Sequence, residues 1–154
     1  MGAADIGTLK GLAFFADLSD FDLAQIAGIT SAKSYERGEM IVEERAAAER
    51  FFIIARGKIE ISKRFEDGEQ FVLAVHSDGE FFGEMALLDG GPRSAAAKAI
   101  EDVKSLVITT ANFDNLREKN PGVALRIMDV LVRTLSTRLR QANKNLEVIS
   151  FWID

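Results

Sequence analysis

Between residues 34 and 109 the chain changes its period, and this change restricts its fold more than any other feature. Runs rich in β-branched and aromatic residues follow one another there: SYERGEMIVEE, FFIIARGKIEISK, EQFVLAVHSDGEFF and VKSLVIT. Glycine turns separate them. Arg56-Gly57 and Asp67-Gly68 each stand between two apolar runs and read as strand-to-strand turns. Several short strands at regular spacing point to a β-sandwich or a small roll. The phenylalanine pairs at 51–52 and 81–82 fit its core.

Both flanks are helical in pattern. Over residues 6–29, Leu9, Leu12, Ala13 and Ala16 fall at helical spacing, as do Leu23, Ile26 and Ala27. Ser19 can cap the second of these helices, with Asp22 in its first turn. After about residue 110 the helical period returns, Asn120-Pro121 punctuates it, and beyond Gly122 no glycine or proline follows up to residue 150. Met128, Val132, Leu135, Leu139, Ala142, Leu146 and Ile149 are spaced alternately by four and three residues. That is a heptad seam, suited to a homodimer. The alternative is one amphipathic helix packed on its own domain, for which Leu125, Ile127 and Leu131 offer a second face. Arg126, Arg133 and Arg140 read as a solvated stripe.

Composition narrows the chemistry. The 154 residues suit a single domain over 1–154, divided into N-terminal helices (1–30), a β-roll (34–109) and C-terminal helices (111–152). There is no cysteine, and His76 is the only histidine, so no disulfide framework, thiolate chemistry or multi-histidine metal centre is expected. His76 itself reads as a strand-end or turn residue. The net charge of −5 argues against a whole-surface nucleic-acid binder. The N-terminus lacks a signal-peptide pattern, and no apolar run reaches the roughly 18 residues of a membrane span. A soluble, cytoplasmic protein with no membrane contact is the expectation.

The segment FFGEMALLDGGPRSAAA, residues 81–97, carries the most chemical information. Gly83 permits a sharp turn and close approach to a ligand. EMALLD can form a short helix whose start favours anions. Arg93 supplies a planar, permanently charged fork suited to phosphate. Ser94 and Ala95 are small enough to leave their backbone N–H groups approachable. No Walker-type loop or magnesium ligand set accompanies them. Glu84 beside a phosphate makes sense if it accepts hydrogen bonds from sugar hydroxyls, so a ribose phosphate meets both demands. A plain Glu84–Arg93 salt bridge across the turn is the competing reading.

The stretch FGEMALLDGGPRSAAAKA, residues 82–99, closely resembles the phosphate-binding cassette of cyclic-nucleotide-binding domains. GEMIVEE (38–44) and FFIIARGKIEI (51–61) resemble that family's early strands, and the flanking helices fall where the family has them. The resemblance implies an α+β fold: a β-jelly roll (double-stranded β-helix) flanked by N-terminal helices and a long C-terminal helix. It implies that Arg93 binds the cyclic phosphate with the N–H groups of Ser94 and Ala95. Gly83 and Glu84 would hold the ribose 2′-hydroxyl. Phe82, Met85 and Ala86 of the cassette join the implied binding set, and Val72 and Leu73 would lie on a strand near the base. The ligand would be cAMP or a related cyclic nucleotide, with no cofactor or metal.

Two departures stand out. The adenine-reading Thr-Ser pair of the catabolite activator protein falls here on Arg138 and Leu139. Arg138 would either cap or stack on the base or be a surface residue. EERAAAER, residues 43–50, replaces the family's usual Gly-Asp turn. The chain stops at residue 154, without the helix-turn-helix, kinase or channel segment that family members carry. The expectation is therefore a sensor that does not bind DNA directly and signals through its own dimer or an unknown downstream protein. An interaction module with an empty cassette is the alternative. An enzyme on this scaffold lacks an evident nucleophile or base, and Trp152 would cover an apolar surface or pack in a dimer.

Overall fold

The computed structural model describes the backbone of residues 2–153 and the side chains of residues 4–146. Its strands, all paired antiparallel, form two sheets among the described residues. One sheet runs in the order β1 (Gly2–Ala3), β2 (Thr30–Tyr35), β9 (Val103–Thr109), β4 (Arg50–Arg56), β7 (Phe81–Phe82). The other runs β3 (Met40–Val42), β8 (Ala96–Ala99), β5 (Ile59–Arg64), β6 (Gln70–His76). Helices α1 (Ile6–Lys10), α2 (Asp20–Ala27), α4 (Thr110–Lys119) and α5 (Pro121–Ile153) flank the roll, and the short α3 (Met85–Leu88) sits inside the cassette. The expected jelly roll with flanking helices is the observed fold. No described helix is long and apolar enough to cross a membrane.

The first sheet is buried on both faces, and strand alternation shows why. Phe51, Ile53, Phe81, Leu106 and Ile108 point toward the helices and join Leu9, Phe14, Phe15, Leu23, Ile26, Phe113, Ile127 and Leu131 in one core. Their neighbours Phe52, Ile54, Phe82, Val103 and Val107 point the other way, into a second core with Tyr35, Ile59, Ala97 and Ala99 between the sheets. The phenylalanine pairs thus serve two cores at once. Each fully buried side chain contributes about 1.5–3 kcal/mol.

Several local readings change. The N-terminal helical pattern is broken into α1, a 3-10 turn at Ala13–Phe15 and α2. Ser19 caps α2 as read, and Asp22 closes a capping box by turning its side chain back to the Ser19 N–H. Asp67-Gly68 does turn a hairpin between β5 and β6. Arg56-Gly57 instead carries the chain from one sheet to the other, since β4 pairs with β7 and β9 while β5 pairs with β6 and β8. Gly57 has φ +107°, and a Cβ there would lie 2.5 Å from the Asp102 carbonyl oxygen.

Helix α5 departs from both sequence readings. Val123, Ala124, Ile127 and Leu131 are buried against the roll, with Met128 and Leu135 partly buried beside them. Leu125, expected on the packing face, is exposed. It shares an outward stripe with Val132, Leu139 and Leu146, one residue per heptad. The side chains of Ile149 and Trp152 lie outside the described residues. Arg126 is not merely solvated: its Nε and Nη2 donate to both oxygens of buried Asp22, at 2.8 and 2.6 Å. This fork joins the root of α5 to α2.

Candidate functional site

Arg93 is buried, 6 % exposed, at the end of the cassette. Its Nη1 donates to the Gly83 carbonyl at 3.1 Å and its Nη2 to the Arg50 carbonyl at 2.6 Å. Its guanidinium carbon lies 5.7 Å from the centre of the Phe52 ring. Phe52 stacks flat on Phe82, 4.6 Å apart and 2° from parallel, so the cassette's aromatic floor is continuous with the core. Gly83 has φ +76°, and a Cβ there would lie 2.6 Å from Arg93 Nη1. The glycine is required both for the turn and for the room that the guanidinium occupies.

No carboxylate is ion-paired with Arg93 among the described residues. The turn-spanning Glu84–Arg93 salt bridge, a fair alternative from spacing, is therefore not what the residues form. Two carbonyls hold the fork, and three of its five N–H donors keep no partner among the described residues. Burial pushes the Arg93 guanidinium below its ordinary pKa, with Glu84 acting the other way and Arg50 reinforcing burial. A buried cation held in this way favours an anion beside it.

Around Arg93 is a cavity of about 110 Å³. Phe82, Gly83, Glu84, Met85, Ser94 and Ala95 line it, with Val42, Ile61, Ala97, His76 and Arg138. The backbone amides of Ser94 and Ala95 take no partner among the described residues. Glu84 opens α3 without capping it by its side chain. Ala86 is buried on the other side of α3, where its carbonyl accepts from Thr110 at 3.2 Å. Val72 and Leu73 are exposed and do not line the cavity. Larger depressions, of about 710 and 960 Å³, open elsewhere. Glu43, Glu44 and Glu66 line one with Arg45 and Arg64, and Glu36, Glu39, Asp78, Glu101 and Asp102 line the other with Arg56 and Lys104, so acidic groups outnumber basic ones in both.

Arg138 reaches this cavity from α5. Its Nη2 donates to the Phe81 carbonyl at 3.0 Å, and its guanidinium carbon lies 4.3 Å from the centre of the Phe81 ring. Arg138 thus lines the cavity and is partly buried, not a fully exposed surface residue. Burial lowers its pKa, while Glu84 and Glu80 counteract.

Two contributions escaped sequence reasoning. His76 is the last residue of β6, the strand-end position read from the sequence, and it also lines the cavity. Ala74 and His76 share one face of β6, opposite Ile61 and Ile59, but a register shift between Ala74 and Val72 breaks the alternation, so the sequence period does not carry this face back to Val72. The other is loop 43–50. The Arg45 N–H donates to the Arg93 carbonyl at 2.8 Å, and the Arg93 N–H donates to the Ala46 carbonyl at 2.9 Å. Distant in sequence, EERAAAER is the backbone clamp on the cassette. It turns at Arg45 with φ +69°, where the resemblance leads one to expect glycine.

A jelly roll with a helix across one end and a buried, carboxylate-free arginine in a glycine-turned cassette defines a class of small-anion-binding modules. Residues 32–120 match the model of the cyclic nucleotide-binding domain, and the chain belongs to that family. It is 31% identical over 143 residues to the cyclic AMP receptor protein of Thermus thermophilus, covering 93% of this chain and 64% of that one. It is 36% identical over 104 residues to the cAMP-dependent protein kinase regulatory subunit of Mycosarcoma maydis, covering 66% of this chain and 20% of that one. The chain thus spans less than two thirds of these curated relatives. The crystal structure of the N-terminal domain of a transcriptional regulator from Streptomyces coelicolor A3(2) superposes with a TM-score of 0.72 at 28% identity, covering 90% of this chain and 94% of that one.

Proposed function

We propose that the chain binds a cyclic mononucleotide, cAMP in preference to cGMP, and acts as a non-catalytic regulatory module. The observation that carries this reading is Arg93, buried without a carboxylate partner and facing a cavity with Glu84 and the unpartnered amides of Ser94 and Ala95. The phosphate binds the Arg93 fork and these amides, and the Glu84 carboxylate accepts from the ribose 2′-hydroxyl. Arg138 caps the base. Relatives named for cyclic nucleotides support the ligand class.

Signalling runs through α5. The cavity of about 110 Å³ is well below the roughly 300–1,000 Å³ of ligand pockets, and Arg138 closes it from α5. A nucleotide that enters draws this arginine from the Phe81 carbonyl onto the base, so binding shifts α5 between two positions. The outward stripe of Leu125, Val132, Leu139 and Leu146, with Met128 and Leu135 at its edge, supports a homodimer through this helix. The same small cavity favours a second reading, an interaction module whose cassette holds no nucleotide.

A thermal-shift panel of cyclic mono- and dinucleotides separates the two readings. A ligand at a hundred times its Kd adds about 2.7 kcal/mol, roughly 5–10 °C for a domain of this size. Stabilisation by cAMP is expected. No shift with any cyclic nucleotide would favour the empty-cassette reading.

A further inference from the structure

Five polar side chains line the cavity: Glu84, Arg93, Ser94, His76 and Arg138. The proposed function, on which this inference rests, uses the side chains of Glu84 and Arg93 for ribose and phosphate, and Ser94 stands beside that phosphate through its backbone N–H. The base is left with the apolar walls Val42, Ile61 and Ala97 and with two polar groups, His76 and Arg138.

The hydrogen-bonding character of His76 follows from its neighbours. Its side chain is 15% exposed, and its Nδ1 lies 3.2 Å from Glu80 Oε2. That same oxygen accepts the Ser77 N–H at 2.7 Å. A carboxylate oxygen engaged in this way is an acceptor, so the Nδ1 of the neutral ring carries the proton and Nε2 offers a lone pair. Burial and the Arg138 charge hold the ring below the usual histidine pKa, against the opposite pull of Glu80 and Glu84. At neutral pH the acceptor is retained.

Arg138 can only donate. His76 Nε2 and Arg138 therefore give the base end one acceptor and one donor. On its N7 edge adenine carries the complement, the 6-amino donor beside a ring-nitrogen acceptor, whereas the same edge of guanine carries two acceptors. We infer that His76 is a specificity-determining residue whose Nε2 accepts a hydrogen bond from the 6-amino group of adenine. Among the described residues, the cavity holds no other neutral side-chain acceptor outside the cassette.

The test uses calorimetric titration of the full chain with cAMP, with the cyclic 3′,5′-monophosphate of purine riboside, which lacks the 6-amino group, and with cGMP. One neutral hydrogen bond predicts that wild type prefers cAMP to the deamino analogue by about 2–10-fold. His76→Leu brings that ratio to about one while retaining the analogue's affinity. His76→Gln, whose amide oxygen reaches a similar point, restores part of it. Melting curves of each variant confirm folding. A ratio unchanged in His76→Leu, or equal loss of both ligands, overturns the assignment. Wild type that binds none of the three overturns the nucleotide reading and His76's role with it, and so is distinguished from failure of His76 alone.

Discussion

At the residue scale, two backbone positions show how the cassette is built. Gly83 combines φ +76° with a space that Arg93 Nη1 fills. Gly83→Ala is expected to lose about 1 kcal/mol or more from the left-handed backbone alone, and to displace Arg93 as well. Chemical denaturation and nucleotide titration should both register the change; a variant that binds like wild type would show that Arg93 does not need this position. Arg45 is the reverse case, a non-glycine residue at φ +69° in the loop that clamps Arg93. Relief of about 1–2 kcal/mol of strain exceeds the roughly 0.5–1 kcal/mol of added chain entropy. Arg45→Gly should therefore raise the Tm slightly, and a fall would contradict the strain. The juxtaposition of Gly83 and Arg93 was legible because both sit inside one contiguous motif. Arg45 and His76 were not, because their neighbours are brought together by the fold: residue 45 meets residue 93, and the end of β6 meets the cassette.

At the element scale, α5 is tied to the domain at two points, and both tie points are arginines. Near its start Arg126 grips Asp22 with two hydrogen bonds, and further along Arg138 grips the Phe81 carbonyl and ring. The first lies at the root of the helix, whereas the second lies at the cavity. The hydrogen bonds from Arg126 hold the Asp22 carboxyl below the usual carboxylate range, more than burial raises it. A carboxyl depressed in the folded state contributes stability above its unfolded pKa, near 4, and loses it as pH falls through the folded value. Unfolding followed between pH 7 and pH 2 should show this loss below about pH 4, and Asp22→Asn should lower stability at pH 7 while flattening the acid limb. An unaltered acid limb would remove Asp22 from the account. The sequence showed that α5 is amphipathic, yet not which way its faces point. Leu125 and Ile127 are two residues apart and lie on opposite sides, and only packing decides which of them meets the roll.

At the scale of the whole molecule, α5 presents two apolar faces. On one side Ile127 and Leu131 are in the core; on the other, Leu125, Val132, Leu139 and Leu146 form an apolar stripe. If the stripe is a dimer seam, sedimentation should give a dimer for wild type and a monomer for Leu139→Glu, with nucleotide binding retained in the variant. A monomeric wild type would leave the stripe unused. Much of this architecture could be read in advance, since the period switch at about residue 34 and the cassette together specify a roll between helices. What could not be read was the narrowness of the cavity, which Arg138 lines from α5. The central claim is that the Arg93 guanidinium is the phosphate site. Calorimetric titration of wild type and Arg93→Ala with cAMP tests it most directly. The account predicts saturable one-to-one binding by wild type and a loss of at least about 100-fold in the variant, as expected for a charge-assisted, two-pronged contact, with a cooperative melt retained. Equal affinity of the two proteins for cAMP would contradict it.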